Sequence, residues 1–269
     1  AWTWAISQGD FAAIAQTLHA FTIFYDLRGW FQEGFDTLHG GLTVLEMAHA
    51  QSPTDTTIQL TLGHILAACG LLTSRLGQYA QAQAMLERSL TLLRPLSAPR
   101  VLLEAITILG TVLELTGNYV GALERYTEGW ELATALGERW VAAVCRLCRT
   151  GLVGITQSLV GPEETYATLQ AVMAEWRAIG DPRWIAIGLN YLSWNAMALG
   201  RYAEARTALA ESVALSIAVG DRWATSYAYR GLGLIAQTLG EHQQAVALFR
   251  QSLTMLTELG ARQDVARLL

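Results

Sequence analysis

Between residues 181 and 260 apolar positions return every third or fourth residue, break at a glycine, resume, and then recur 40 residues later. Asp181 recurs as Asp221, Leu192 as Leu232 and Ala196 as Ala236. Leu199–Gly200 recurs as Leu239–Gly240, Ala205 as Ala245, Ser212 as Ser252 and Gly220 as Gly260. The short spacing is that of a helix with one buried face. The fixed longer period marks a repeat array in which each unit packs on its neighbours. It overrides the two-domain expectation that 269 residues would otherwise raise.

Glycines punctuate the pattern. Gly9 and Gly29, Gly117 and Gly137, Gly180 and Gly200, and Gly220 and Gly240 each stand 20 apart, the place of a left-handed residue closing a helix. Asp10, Asp181 and Asp221 each follow such a glycine and suit the N-cap of the next helix. Pro53, Pro95 and Pro99 fall in two longer connections, and Pro162 and Pro182 in first turns, where a missing N–H costs little. The pattern predicts helices over 1–8, 10–28, 30–50, 55–76, 78–93, 98–116, 118–136, 138–160, 162–179, 181–199, 201–219, 221–239, 241–259 and 261–269. These pair into units over 10–50, 55–95, 98–137, 138–180, 181–220 and 221–260, turning at Gly29, Gly77, Gly117, Gly161, Gly200 and Gly240. Residues 1–8 and 261–269 belong to flanking units, so a single repeat domain, cut from a longer protein, is expected. Neither end carries a polar capping helix, and end-to-end self-association is expected.

Composition narrows the chemistry. Hydrophobic residues make up 52% and charged residues only 15%, against a usual ~25%. The net charge of -5 argues against direct nucleic-acid binding. All 18 cations are arginine, for which codon bias in a GC-rich genome is the plain cause. Without lysine, neither a Walker A loop nor a Schiff-base cofactor site can form within the chain. Three cysteines without disulfide spacing fit a reducing, cytoplasmic setting. No apolar run of membrane-spanning length is free of polar interruption, so no membrane partner is expected.

Gly200-Arg201-Tyr202-Ala203-Glu204-Ala205 resembles the signature at the turn between helices A and B of the tetratricopeptide (TPR) repeat. Gly77-Gln78-Tyr79 and Gly117-Asn118-Tyr119 repeat it, with weaker copies at Gly29-Trp30-Phe31 and Gly240-Glu241-His242. Cys69-Gly70, Leu109-Gly110 and Leu232-Gly233 stand where TPR helix A has its small residue. In this family the aromatic after the turn wedges between helices A and B. The fourth unit, Gly161-Pro162-Glu163, lacks that aromatic. The resemblance implies an all-α fold, a right-handed TPR-like superhelical solenoid of about six helix-turn-helix units. The period of about 40 and the linkers carrying Arg139-Trp140, Arg183-Trp184 and Arg222-Trp223 are similar to those of C-terminal sensor arrays in bacterial STAND regulatory ATPases. That class includes MalT and LuxR-type regulators.

TPR arrays usually bind along the concave face lined by helix A. Counting back from each turn glycine places Asn190, Tyr191, Trp194, Tyr227 and Arg230 there, with Glu104, Thr107 and Thr111 and also His19, Asp26, His64 and Glu114 in earlier units. Aromatics beside Asn and Arg suit a peptide or sugar; the competing reading buries Tyr191 and Trp194 between units. A lysine-based carboxylate clamp of the kind that grips chaperone C-termini is excluded. The Arg-Trp pairs read either as a stacked ladder for a partner or as core tryptophans with arginines reaching solvent. Cys145 and Cys148 share a helix face and read as core, as does Cys69. No His-Glu-x-x-His or Gly-x-Ser-x-Gly pattern occurs. The expectation is a non-catalytic sensor or interaction array without cofactor or metal. Its partner would be a protein, a peptide or a small-molecule inducer. The alternative is a protein-protein scaffold with no small-molecule effector.

Overall fold

Among the described residues each predicted break between helices is a real one. The computed structural model describes residues 2–156, 161–261 and 265. Thirteen helices run in order through the described residues: α1 (Trp2–Gln8), α2 (Phe11–Arg28), α3 (Phe31–Gln51), α4 (Thr56–Arg75), α5 (Tyr79–Leu93), α6 (Pro99–Leu115), α7 (Tyr119–Ala135), α8 (Arg139–Thr156), α9 (Pro162–Ile179), α10 (Pro182–Ala198), α11 (Tyr202–Val219), α12 (Arg222–Thr238) and α13 (His242–Glu258). The fold is all-α and solenoidal, with helix-turn-helix pairs of the TPR type. The expected end of the helix over 138–160 and most of that over 261–269 lie outside the described residues.

The breaks follow from backbone chemistry. Gly9, Gly29, Gly77, Gly117, Gly137, Gly180, Gly200, Gly220, Gly240 and Gly260 all have positive φ, between 65° and 81°, the region a Cβ disfavours. Gly161 departs from that series: it caps α9 with φ -60°. The Asp181 carboxylate accepts from the N–H of Arg183 and Trp184, and that of Asp221 from Ala224. Asp10 accepts from Ala13. Asp55, not anticipated as a cap, does the same for Thr57 and Ile58 at the start of α4. Pro99 is the first residue of α6 rather than part of the preceding connection.

The chain divides into two compact units, one of Ala1–Asp26 with Trp30–Arg125, the other of Leu27–Gly29 with Tyr126–Leu269. In unit 1, α4 packs against α3, α5 and α6 and has fifteen of its 20 residues buried. α4 is long and apolar enough to cross a membrane by composition, but 72% of the relevant window is buried inside the protein, as expected of a core helix. In unit 2, α10 packs on α8, α9, α11 and α12. Tyr166, Ala196, Ala205, Leu209, Ala228 and Ile235 form a continuous core there.

The small residues do what the resemblance implies. A Cβ on Gly70 would stand 2.8 Å from Leu86, and one on Gly233 2.7 Å from Phe249. Helix A therefore approaches helix B closely in both units. The aromatic wedge holds for Phe31 and Tyr79, both buried. It fails at Tyr119, which is 39% exposed. In the fourth repeat, which lacks the signature aromatic, the buried Tyr166 packs instead into the core of the following repeats, with Ala196, Ala205 and Leu209. Its hydroxyl donates to Glu204 at 2.7 Å in the next repeat, and Arg201 stacks on its ring.

Candidate functional site

The helix-A faces of the two units gather different chemistry. In unit 1, His64 on α4 and Glu104 on α6 hold the same register, 13 residues before Gly77 and Gly117. His19 of α2 joins them. His19 Nδ1 and His64 Nε2 each stand 3.6 Å from the same Glu104 oxygen. Burial pushes the Glu104 pKa up, but the pull of the neighbouring His19, then of His64, outweighs it and holds the carboxyl at about 2. Glu104 in turn raises His19 above its ordinary value, partial burial opposing. His19 is largely exposed, while the His64 side chain is only 8% exposed.

Four other residues assigned to this face behave differently. Asp26 is buried and paired with Arg75 at 2.7 Å. Burial at that point was not legible because the pairing arginine lies 49 residues away. Thr107 and Thr111 sit half-buried, each donating to a carbonyl one turn back on its own helix. Glu114 is half-buried on the same helix.

Unit 2 brings Asn190, Tyr191 and Trp194 of α10 beside Tyr227 and Arg230 of α12, all half-buried. The Arg230 guanidinium lies 5.9 Å from the centre of the Trp194 ring, within cation–π range. Tyr227 packs against Trp223, ring centres 4.3 Å apart. Tyr191 lies on the backbone of Gly151 in α8: a Cβ there would come within 2.4 Å of its ring. The neighbouring Asn195 donates to the Gly151 carbonyl at 3.4 Å. Asn190 was expected to serve a ligand, but its amide nitrogen is already engaged. It donates to the Ala186 carbonyl and to Ser212, tying α10 to α11. Tyr191 and Trp194 are thus neither fully exposed nor fully buried. Each uses part of its ring in packing and leaves part at the surface.

The Arg-Trp pairs take part in a structural seam, with Arg139 and Arg222 at the surface as one reading expected. Trp176 and Trp184 stack at 5.7 Å, and Trp140 stands perpendicular to both. Arg183, 18% exposed, is turned to a partner: it donates to Asp221 at 2.9 Å, the N-cap of the next helix A. Trp140 Nε1 reaches Asp181 in the same sense, at 3.4 Å. Each of these caps therefore also anchors the preceding repeat. Arg146–Glu175, Arg177–Glu211, Arg201–Glu163, Arg206–Glu241 and Arg222–Glu258 add further ties between helices of unit 2. Cys69, Cys145 and Cys148 are buried free thiols, and burial pushes Cys69 up to about 12, far from the reactive thiolate range. Among the described residues no group of three or more His, Cys, Asp or Glu is placed to hold a metal.

The tetratricopeptide repeat family profile matches residues 184–258. No curated protein matches. Among solved structures, NprR in complex with its cognate peptide NprX superposes with a TM-score of 0.72 at 10% identity, covering 96% of this chain and 71% of that one. PlcR from Bacillus thuringiensis, in complex with the peptide PapR7 and DNA, gives 0.63 at 9% identity, covering 87% and 84%. A STAND protein with a tetratricopeptide repeat sensor from Pyrococcus horikoshii gives 0.58 at 12% identity, covering 99% of this chain and 38% of that protein. At such identities the likeness is one of fold. Together with the glycine-closed helix pairs and the profile match, it makes the chain a TPR-like helical repeat array.

Proposed function

We propose that this chain is a non-catalytic, peptide- or protein-binding sensor array of a larger bacterial regulatory protein. Its ligand would lie along the helix-A face of unit 2. The observation carrying this reading is the grouping of Tyr191, Trp194, Tyr227 and Arg230 as half-buried side chains on adjacent helices α10 and α12. Aromatic faces beside a fixed cation can bind an extended segment through stacking and charge together. The peptide complexes of NprR and PlcR, on similar folds, support a peptide as the class of ligand. The STAND likeness supports a sensor role.

A ligand would act by binding one packing of the repeats more tightly than another. Thermal unfolding of the chain against short peptides, sugars, nucleotides and amino acids tests the reading. A peptide at about 100 times its dissociation constant adds roughly 2.7 kcal/mol, and Trp194→Ala removes the shift. A response to sugars or nucleotides but not peptides would replace the peptide reading with a small-molecule inducer. No response to any of them would favour the scaffold reading.

A further inference from the structure

The helix-A layer of unit 2 is electrostatically one-sided. α8, α10 and α12 contain six arginines (Arg139, Arg146, Arg149, Arg183, Arg222 and Arg230) and no Asp or Glu between their first and last residues. Each partner helix, α9, α11 and α13, carries at least one glutamate. In a chain of net charge -5, it is the acids that are sorted by layer, since α9, α11 and α13 also carry Arg177, Arg206 and Arg250. Arg146, Arg183 and Arg222 are each neutralised by a carboxylate, of Glu175, Asp221 and Glu258. Arg149 lies over the Trp130 ring, 4.8 Å from its centre.

Arg139 is exposed at the start of α8, and Arg230 sits on the aromatic face. It shares the face with Trp194, Tyr191 and Tyr227, and among the described residues no carboxylate pairs with it. It holds the register of Asn190, 10 residues before the turn glycine in each case. Asn190 is committed to Ser212, whereas the Arg230 guanidinium is held against an indole with its donors unassigned. A planar guanidinium fixed in this way and partly removed from water is a ready fork for a carboxylate.

Resting on the reading of this face as the ligand site, we propose that it selects peptide segments bearing a carboxylate next to an apolar or aromatic residue. Arg230 takes the carboxylate, and the neighbouring side chain lies on Trp194 and Tyr227. An Asp or Glu side chain and a free C-terminus offer the same group, and the test separates them.

Fluorescence polarisation on the full chain would use three labelled heptapeptide pools of equal aromatic and apolar content. The first carries one glutamate and an amidated C-terminus. The second has glutamine in its place and a free C-terminus, and the third has glutamine and an amide. One of the first two should bind roughly 10- to 100-fold tighter than the third, identifying the source of the carboxylate. Arg230→Gln should abolish that preference and Arg230→Lys restore part of it. Arg250→Gln, at an exposed position on α13, should leave it intact. Equal binding of the neutral pool, or a preference surviving Arg230→Gln, overturns the carboxylate assignment and leaves a peptide site standing. Failure of every pool to bind overturns both.

Discussion

At Glu104 two opposing effects meet, and their balance gives unit 1 a pH signature. The raised His19 pKa contributes stability that is fully present below the ordinary histidine value of 6.5 and is lost as pH rises through the folded-state value. The lowered Glu104 pKa contributes stability present above 4.5 and lost as pH falls towards about 2. The difference in melting temperature between the chain and its Glu104→Gln variant should therefore be greatest between pH 4.5 and 6.5. It should narrow on the alkaline side. A difference that stays flat from pH 5 to 9, at roughly constant ionic strength, would refute this coupling. Counting residues put His19, His64 and Glu104 on one face. It did not bring them to one point, because that needs α2, α4 and α6 at known separations. Asp26 shows the converse: its register assigned it to the open face, and a distant Arg75 took it into the core.

At the scale of elements, close approach does most of the positioning. Gly151 lets Tyr191 lie on the backbone of α8, and Gly188 lets α10 meet Met173 and Leu147. Gly151→Ala would put a Cβ 2.4 Å from the Tyr191 ring and 2.9 Å from its Cβ, so the helix pair must separate or the ring must turn. Overpacking of this kind costs about 1–3 kcal/mol. Chemical denaturation should show that loss. A variant as stable as the parent would mean that α8 and α10 have room to spare. Helix limits were legible because glycine, aspartate and proline act through local backbone chemistry. Residues such as Tyr166 and Arg183 escaped because their partners, Glu204 and Asp221, lie 38 residues ahead. A spacing close to the repeat period was nevertheless a usable signal. An arginine followed one period later by an acid recurs in Arg183–Asp221, Arg201–Glu163 read backwards, and Arg222–Glu258.

For the whole molecule, the repeat explains why a chain so poor in charge still has a strongly patterned surface. Charges tie helix to helix across unit 2, while the α8, α10 and α12 segments themselves hold arginine without acid. That sorting was written in the sequence but visible only once helices were assigned to layers. The fold was legible from periodicity because every repeat solves the same packing problem. The ligand was not, because the residues proposed to bind it break the periodicity: Arg230 stands where α10 has Asn190. By the proposal above, the helix-A face of unit 2 holds a peptide that carries a carboxylate. Photo-crosslinking tests this, using a heptapeptide with one glutamate, a free C-terminus and one benzoylphenylalanine, and locating adducts by mass spectrometry. Adducts concentrated on α10 and α12, around Trp194 and Tyr227, are the predicted result. Adducts confined to α9, α11 and α13 or to unit 1, or none at saturating peptide, would contradict the claim.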